Sequence, residues 1–191
     1  MGRVVLSMLT SLDGYVNDSA GKVGALYPDL AALRATTVMQ DAVRYTGAVV
    51  VRYTGAVVMG RRAYAMGDPD AYAGHYEFQV PIFVLTHRPP THHPAQNERL
   101  SFTFITDGIG PAIARAKAVA GARDVYVIGG ASTAQQTLNA GLVDELEVGV
   151  VGVMFGGGTP LFAGLARTPA LEQTQMTRTP GATFLHYRVL H

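Results

Sequence analysis

Hydrophobic and polar positions follow two different periods along this chain. Seven short apolar runs, rich in β-branched and aromatic residues, have the length of buried strands. The predicted strands are Val4–Leu9, Ala56–Met59, Ile82–Leu85, Phe102–Ile105, Val125–Ile128, Leu146–Met154 and Phe184–Leu190. Patterns with a helical period predict helices at Asp29–Val43, Arg61–Met66, Pro111–Ala122 and Thr133–Ala140. This alternation predicts an α/β fold, in which helices flank a mixed, mostly parallel sheet.

The last part of the chain has a different pattern. The helical period stops after Asp144, and the remaining apolar runs favour strands. A glycine corner at Gly156–Gly158 and a final pairing of Thr183–Leu190 with Glu172–Thr179 predict antiparallel strands that complete the sheet. At 191 residues the chain suits one domain, spanning 1–191.

An identical octapeptide occurs twice in tandem, at Val43–Val50 and at Val51–Val58. Two copies of this length are too few and too short for a solenoid. An in-frame duplication is the simpler account, and an artefact in the sequence is the alternative. We expect the second copy to form the strand, because it runs directly into a glycine turn, and the first to extend the preceding helix or form a surface loop. A hairpin of Ala48–Arg52 with Ala56–Gly60 is the other arrangement.

Composition narrows the classes of function. The chain has 15 Lys and Arg against 14 Asp and Glu, so it has no broad basic surface for nucleic acid or an anionic membrane. It has no cysteine, which excludes disulfides and thiolate chemistry and is compatible with a cytoplasmic protein. No apolar run has the length of a membrane span or the form of a signal peptide. The pair His92 and His93 lies in a proline-flanked loop, where we expect no metal site.

Two glycine turns carry the candidate chemistry. Each follows an apolar strand and opens a helix: Gly60 precedes Arg61 and Arg62, and Gly129–Gly130 precedes a second helix. A glycine lets a ligand approach the backbone, and the helix start offers free N–H groups and a partial positive charge. Two such turns, with arginines beside the first, predict a site for a dinucleotide. Neither turn is a complete GxGxxG or P-loop motif.

Six short motifs follow one another along the chain: Ser-Leu-Asp-Gly at 11–14, Val-Met-Gly-Arg-Arg at 58–62, Thr-His-Arg at 86–88, Val-Ile-Gly-Gly-Ala-Ser at 127–132, Asp-Glu-Leu at 144–146 and Phe-Gly-Gly-Gly-Thr-Pro-Leu-Phe at 155–162. Together they resemble the dihydrofolate reductase superfamily, in its bacterial branch related to the reductase domain of the riboflavin biosynthesis deaminase-reductase. The resemblance covers nearly the whole chain. It implies a dihydrofolate reductase-like fold and an NADPH-dependent reductase with a small heterocyclic, pterin- or pyrimidine-like substrate.

The resemblance also implies a set of coenzyme-binding residues. They are Gly60, Arg61, Arg62, Thr86, Arg88, Gly129, Gly130, Ala131 and Ser132. In relatives the position of Thr86 and Arg88 holds the adenosine 2′-phosphate, which favours NADPH over NADH. The alternatives are that the arginines only cap a solvated helix start, and that Thr86 and Arg88 form a surface turn. For the second glycine turn, the alternatives are that Gly129 and Gly130 are only a tight packing point between helix and strand, and that Ser132 or Thr133 is a helix N-cap.

Asp13 and Asp29 are the catalytic candidates. Asp13, in the loop after the first strand, either orients substrate or coenzyme amides or forms a turn before Gly14. Asp29 resembles the proton-donating carboxylate of folate reductases, and it is equally well placed as a helix N-cap. The chain has no tryptophan, and Gly152 stands where riboflavin-pathway relatives have proline, so a dedicated riboflavin reductase is not the first choice.

A second function class stays open at this point. The chain is alternatively a non-catalytic nucleotide-binding protein, or a dimeric interaction protein that keeps the reductase fold. We expect a small-molecule partner and no nucleic acid or membrane, with a homodimer through the apolar C-terminal strands as a further expectation.

Overall fold

All strands of the computed structural model join one sheet, and the model describes residues 2–27 and 53–191. The strands are β1 (Val4–Ser11), β2 (Thr54–Gly60), β3 (Ile82–Leu85), β4 (Phe102–Ile105), β5 (Asp124–Val127), β6 (Glu145–Val151), β7 (Ala170–Arg178) and β8 (Ala182–Leu190). The helices are α1 (Arg61–Tyr64), α2 (Tyr72–His75), α3 (Ile109–Ala120) and α4 (Ala131–Asn139), and a 3-10 turn spans Gly24–Leu26.

The strand order confirms the predicted mixed α/β sheet. It is β4-β3-β2-β5-β1-β6-β8-β7, and every pairing from β4 to β6 is parallel. β8 is antiparallel to both β6 and β7, which confirms the expected final pairing. One expectation needs correction, because β6 itself pairs in parallel with β1, from Val5 opposite Glu145 to Ser11 opposite Val151. The antiparallel part therefore begins at β8.

The two faces of the sheet are covered differently. Along β1, Val4 and Leu6 point to one face and Val5 to the other, following the period of a strand. The first, which we call the helical face, packs against Ala112, Ile113, Ala116 and Ala120 of α3 and Ala134 of α4. The second, which we call the aromatic face, packs against Tyr64, Tyr72, Phe78, Phe102 and Phe104.

The positions where the helices begin and end follow from residues close by in the sequence. α3 begins two residues before Pro111, and it ends where Gly121 takes a φ of +64°. α4 begins at Ala131, two residues earlier than expected, because the N-cap is Gly130. α1 is shorter than expected and ends at Tyr64. The predicted helix Asp29–Val43 lies outside the described residues.

The second copy of the octapeptide supplies most of β2, as expected, since Thr54–Val58 belongs to both. β2 pairs with β3 on one edge and with β5 on the other. Ala56–Gly60 thus has no free edge for a hairpin partner, and the hairpin arrangement is wrong for this strand. The first copy lies outside the described residues. None of the helices in 2–27 and 53–191 has both the length and the apolar character of a membrane span.

Candidate functional site

The two glycine turns lie side by side at one edge of the sheet. β2 and β5 are parallel neighbours, so their C-terminal ends meet. The N–H of Gly60 donates to the carbonyl of Gly129 at 3.1 Å, and the N–H of Ile128 donates to the carbonyl of Val58 at 3.0 Å. The structure therefore brings together the two segments that the sequence singled out, at the edge where parallel α/β sheets bind ligands.

Close packing explains why glycine occupies both turns. A Cβ on Gly60 would lie 2.6 Å from the hydroxyl oxygen of Thr133. A Cβ on Gly129 would lie 2.5 Å from the Cβ of Ala63, and Gly129 also has a φ of +108°. The space between the turns is thus too narrow for any side chain, and the turns pack directly against α1 and α4.

The start of α4 adds backbone donors to this surface. Its N-cap is Gly130, and no side chain caps the helix. The N-cap alternative for Ser132 or Thr133 is therefore wrong; the Ser132 hydroxyl instead accepts a bond from Gln136 Nε2 at 3.1 Å. Ala131 is buried, so it offers only its backbone. A helix start without a cap leaves N–H groups for an anion to accept.

Two arginines extend from the first turn. Arg61 and Arg62 follow Gly60 in α1, and both are exposed. Neither guanidinium pairs with a carboxylate among the described residues, in contrast to Arg3 and Arg115. Unpaired cations beside free N–H groups make this edge of the sheet electropositive, which suits phosphate oxygens.

The end of β3 offers fewer side chains to the candidate site than the sequence suggested. The Thr86 hydroxyl donates to the Arg88 carbonyl at 2.8 Å and accepts from the Arg88 N–H at 3.2 Å. Thr86 is buried, and its side chain serves the turn, which matches the surface-turn alternative. Of the two predicted residues, Arg88 is the one with an exposed side chain, and it follows the strand next to β2.

Asp13 holds two loops together. Its carboxylate accepts bonds from the Ser11 hydroxyl at 2.6 Å, from the Phe155 N–H at 3.1 Å and from the Gly156 N–H at 2.7 Å. The Ser11 hydroxyl, followed by the backbone N–H groups of Gly156 and Phe155, lowers the pKa of Asp13 to about 2. Asp13 is therefore ionised near neutral pH and cannot donate a proton there.

The loop that contains Asp13 borders the glycine turns through β1. The Gly129 N–H donates to the sulfur of Met8 at 3.1 Å, so β1 passes directly beside the second turn. The contacts of Met8 with Gly129 and of Thr133 with Gly60 were not apparent in the sequence, because each joins segments that are far apart along the chain. The second catalytic candidate, Asp29, lies outside the described residues.

The aromatic residues after α1 belong to the core. Tyr72 stacks on Tyr64 with ring centroids 5.7 Å apart, and Tyr72 and Phe78 are both buried. This placement gives them a packing role on the aromatic face. In the described ranges, no group of three or more His, Asp or Glu side chains is placed to hold a metal ion, and His92 instead lies 3.1 Å from Asp70.

The sequence matches a known family over almost its full length. Residues 3–185 match the RibD C-terminal domain. The chain belongs to this family. YyaP of Bacillus subtilis (strain 168), itself uncharacterized, is 24% identical over 185 residues, which is 93% of this chain and 88% of that protein.

Solved structures share the fold. A protein from Shewanella sp. PV-4 that is named for riboflavin biosynthesis has a TM-score of 0.72 at 21% identity, with 99% of each chain covered. A diaminohydroxyphosphoribosylaminopyrimidine deaminase/5-amino-6-(5-phosphoribosylamino)uracil reductase from Thermotoga maritima has a TM-score of 0.70 at 14% identity; the match covers 99% of this chain and 57% of that one. These likenesses establish the dihydrofolate reductase-like fold of RibD reductase domains for this chain.

Proposed function

We propose that this protein is an NADPH-dependent reductase that transfers hydride to a small heterocycle of the pyrimidine or pterin kind. The observation that carries the proposal is the pair of adjacent glycine turns, flanked by two exposed arginines that pair with no carboxylate in the described part of the chain. The family supports the same chemistry, because its structural relatives include a uracil-type reductase.

The residues of this edge fit a dinucleotide. Gly129 and Gly130 are only partly buried and carry no side chain, so a flat or extended ligand can lie against their backbone. The free start of α4 and the guanidinium groups of Arg61 and Arg62 would hold the phosphates of NADPH. Arg88, one strand further along, would bind the 2′-phosphate and so distinguish NADPH from NADH.

The chemistry divides between the coenzyme and the chain. NADPH supplies the hydride when it is bound. The protein binds and orients NADPH and the substrate, and it excludes water from them. Asp13 fixes the Ser11–Gly14 loop against the glycine corner beside the site, as an ionised acceptor. The proton that accompanies the hydride must come from another acid, for which the resemblance to folate reductases suggests Asp29.

A comparison of NADPH with NADH tests the proposal. In fluorescence or calorimetric titrations we expect tighter binding of NADPH. Arg61→Ala should weaken NADPH binding about 10-fold, the effect of losing one charge-assisted hydrogen bond. Arg88→Ala should reduce the preference for NADPH over NADH by a similar factor. Arg123→Ala, an exposed arginine just before β5 at the opposite edge, is the matched control and should change neither value.

Turnover separates this proposal from its main alternative, a nucleotide-binding protein without activity. We expect oxidation of NADPH with at least one member of a panel of pterins, pyrimidines and quinones. Binding of NADPH without oxidation above background would favour the non-catalytic function. Equal binding by wild type and Arg61→Ala would place the coenzyme elsewhere.

A further inference from the structure

Ser7, Glu147 and His186 form a row of polar side chains across the aromatic face of the sheet, which we call the polar row. Ser7 of β1 lies opposite Glu147 of β6, and Glu147 lies opposite His186 of β8. Ser7 follows Val5 by two positions, so its side chain is on the aromatic face. The side chains of Glu147 and His186 are only 14% and 21% exposed. None of the contacts proposed for the coenzyme uses this row.

The polar row starts beside the second glycine turn. β5 ends at Val127, and Val127 pairs with Leu6 of β1. Met8, two positions further along β1, accepts the N–H of Gly129. Ser7 lies between these two contacts, so it is the member of the row that is nearest to the candidate site.

β1 and β2 both continue past the end of β5, the strand that separates them. β1 extends to Ser11 and β2 to Gly60. Two strand spacings put their backbones about 10 Å apart. The second glycine turn lies between them, since the N–H of Gly60 donates to the carbonyl of Gly129. A flat heterocycle that binds over this turn on the aromatic face would come within reach of Ser7.

Hydrogen bonds fix the direction of the Ser7 hydroxyl. It donates to Glu147 Oε1 at 2.9 Å, and His186 Nδ1 lies 3.5 Å from Glu147 Oε2. A carboxylate only accepts, so the hydroxyl hydrogen and a hydrogen on Nδ1 both point to Glu147. His186 Nε2 is buried and has no partner in the described part of the chain, so Nδ1 is the nitrogen whose hydrogen is satisfied. Ser7 therefore has only lone pairs left for a ligand.

The charge of Glu147 favours the same kind of ligand. In residues 2–27 and 53–191 no Lys or Arg pairs with Glu147, whereas Glu145 pairs with Arg3. Burial, followed by the charge of Glu147, raises the pKa of Tyr126 on β5. The negative potential thus extends to the strand that leads into the second glycine turn. Such a surface attracts hydrogen-bond donors and repels anionic groups.

The next row towards the C-terminal ends of the strands is apolar. It consists of Leu9, Gly149 and Phe184, which pair across β1, β6 and β8. A Cβ on Gly149 would meet the side chains of Leu9 and Phe184, which close over this glycine. Polar acceptors thus lie directly beside an apolar wall. This combination suits a small ring that has apolar faces and a polar edge.

We infer that Ser7 determines substrate specificity, because its oxygen accepts a hydrogen bond from an N–H group of the heterocycle. The ligand class is a ring that carries a lactam or amino N–H, and a ring whose nitrogens are all alkylated is rejected. Glu147 and His186 are positioning residues, since they act through the Ser7 hydroxyl. Because it names the ligand class of the same site, the inference rests on the proposed function.

Calorimetric titrations with uracil and 1,3-dimethyluracil, at saturating NADP⁺, test the inference. The two probes share the ring and both carbonyls, and they differ in the two N–H donors. Wild type should bind uracil at least about 10-fold more tightly, because a site built to accept a hydrogen bond rejects an analogue that cannot donate one. Ser7→Ala should remove most of this preference. Ser7→Thr keeps the hydroxyl on a residue that suits a strand, and it should retain the preference.

Glu147→Gln tests the direction of the hydroxyl. A glutamine amide can donate to the Ser7 oxygen and so free the Ser7 hydrogen for the ligand. The preference for uracil should therefore fall about 10-fold, the effect of one hydrogen bond to a charged group. Glu172→Gln, the same substitution at an exposed carboxylate that pairs with Arg188 on the outer strands, is the matched control and should leave the preference unchanged. A purely structural role for Glu147 would alter the affinity for both probes alike.

Three outcomes would overturn the inference. One is a wild type that does not prefer uracil, whether it binds both probes equally or neither. The others are a preference that survives in Ser7→Ala and one that Glu147→Gln leaves intact. Circular dichroism should show an unchanged fold for each variant, and the conservative Ser7→Thr stands in for Ser7→Ala as a folded reference. Titrations without NADP⁺ keep this result separate from the coenzyme, so failure of NADPH binding would contradict the proposed function and leave the selection of N–H donors measurable.

Discussion

Gly60 and Thr133 set the distance between the two turns at the level of single residues. Gly60 has an ordinary extended backbone, with φ −81° and ψ 158°, so an alanine there is not strained by its own conformation. Its Cβ would nevertheless lie 2.6 Å from the Thr133 hydroxyl. The cost of a substitution at Gly60 is therefore steric and depends on one neighbouring side chain.

We expect Gly60→Ala to lower the free energy of unfolding by about 1–3 kcal/mol, the range for overpacking. The double variant Gly60→Ala/Thr133→Ala also lacks the hydroxyl, so it should regain most of the lost free energy of unfolding. Urea denaturation of both single variants and of the double variant would measure this recovery. Gly110→Ala, an open position inside α3, is the control and should stabilise the protein slightly. Additive effects of the Gly60 and Thr133 changes would contradict the steric explanation.

Asp13 is the second residue with a defined effect. Its pKa is lowered from an ordinary value of 3.8 to about 2, so the ionised form is favoured in the folded protein. The stability that it contributes is complete above about pH 4 and is lost as the pH falls through about 2. The loop contacts of Asp13 should not change between pH 5 and pH 8.

This expectation can be followed at the backbone amides that Asp13 binds. The Gly156 N–H resonance should keep its position from about pH 8 to pH 5 and shift only below about pH 4. In Asp13→Asn, where no carboxylate titrates, the shift at low pH should disappear, and amide exchange at Phe155 and Gly156 should be faster. Ser132→Ala, which removes an exposed hydroxyl bonded to Gln136, is a control that should leave this resonance unchanged. A Gly156 titration near pH 6 would refute the assignment.

At the level of elements, an ion-paired cluster joins three strands at the edge opposite the glycine turns. Arg3, just before β1, binds Asp124 at the start of β5 and Glu145 at the start of β6, each at 2.7 Å. Asp124 is largely buried and also accepts the Arg3 N–H at 2.8 Å. The hydrogen bond to Asp124, together with the charges of Asp124 and Glu145, raises the pKa of Arg3 above its usual range.

Asp124→Ala should therefore lower the free energy of unfolding by about 1–2 kcal/mol, a value reduced because the Arg3 side chain is half exposed. Glu172→Ala breaks a pair with Arg188 in which both side chains are more than half exposed, and it should cost less than about 1 kcal/mol. Chemical denaturation compares the two. Equal losses would mean that the cluster contributes no more than an ordinary surface pair.

The sequence was a better guide to elements than to their contacts. Ile82–Leu85 and Phe102–Ile105 were predicted with their observed bounds, because short apolar runs between breakers have few alternatives. The short turns Gly24–Leu26 and Tyr72–His75 carry no periodic signal and were missed. The parallel pairing of β6 with β1 was also missed, because direction is set by the crossover through α4 and not by the strand itself.

The candidate site was predictable where a glycine in the sequence marks a position that has no room for a side chain. Gly60 and Gly129 were identified from local pattern, and strand order alone determined that they meet. The hydrogen-bond partners of Asp13 and Thr86 were not predictable, because a hydroxyl or carboxylate has many partners within reach. Which partner it takes depends on loops that are far apart in the sequence.

At the scale of the whole molecule, the proposed binding of NADPH would be linked to folding. A ligand that binds only the folded state adds RT ln(1 + [L]/Kd) to the free energy of unfolding, about 2.7 kcal/mol at a hundredfold excess over Kd. NADPH should therefore raise the thermal midpoint of the wild type, and NADH should raise it less at the same concentration. The stabilisation needs no substrate, so it reports on the glycine turns even if the panel of heterocycles lacks the right compound.

Thermal shifts also distinguish the edge that carries the glycine turns from the ion-paired cluster at the opposite edge. Arg61→Ala/Arg62→Ala should keep the wild-type midpoint without ligand, because both side chains are exposed and unpaired among the described residues, and it should lose most of the NADPH shift. Asp124→Ala should show the reverse, with a lower midpoint and a full NADPH shift, because its cluster lies at the opposite edge. Differential scanning fluorimetry measures both. An NADPH shift that survives in the double arginine variant would place the coenzyme outside the edge formed by β2 and β5.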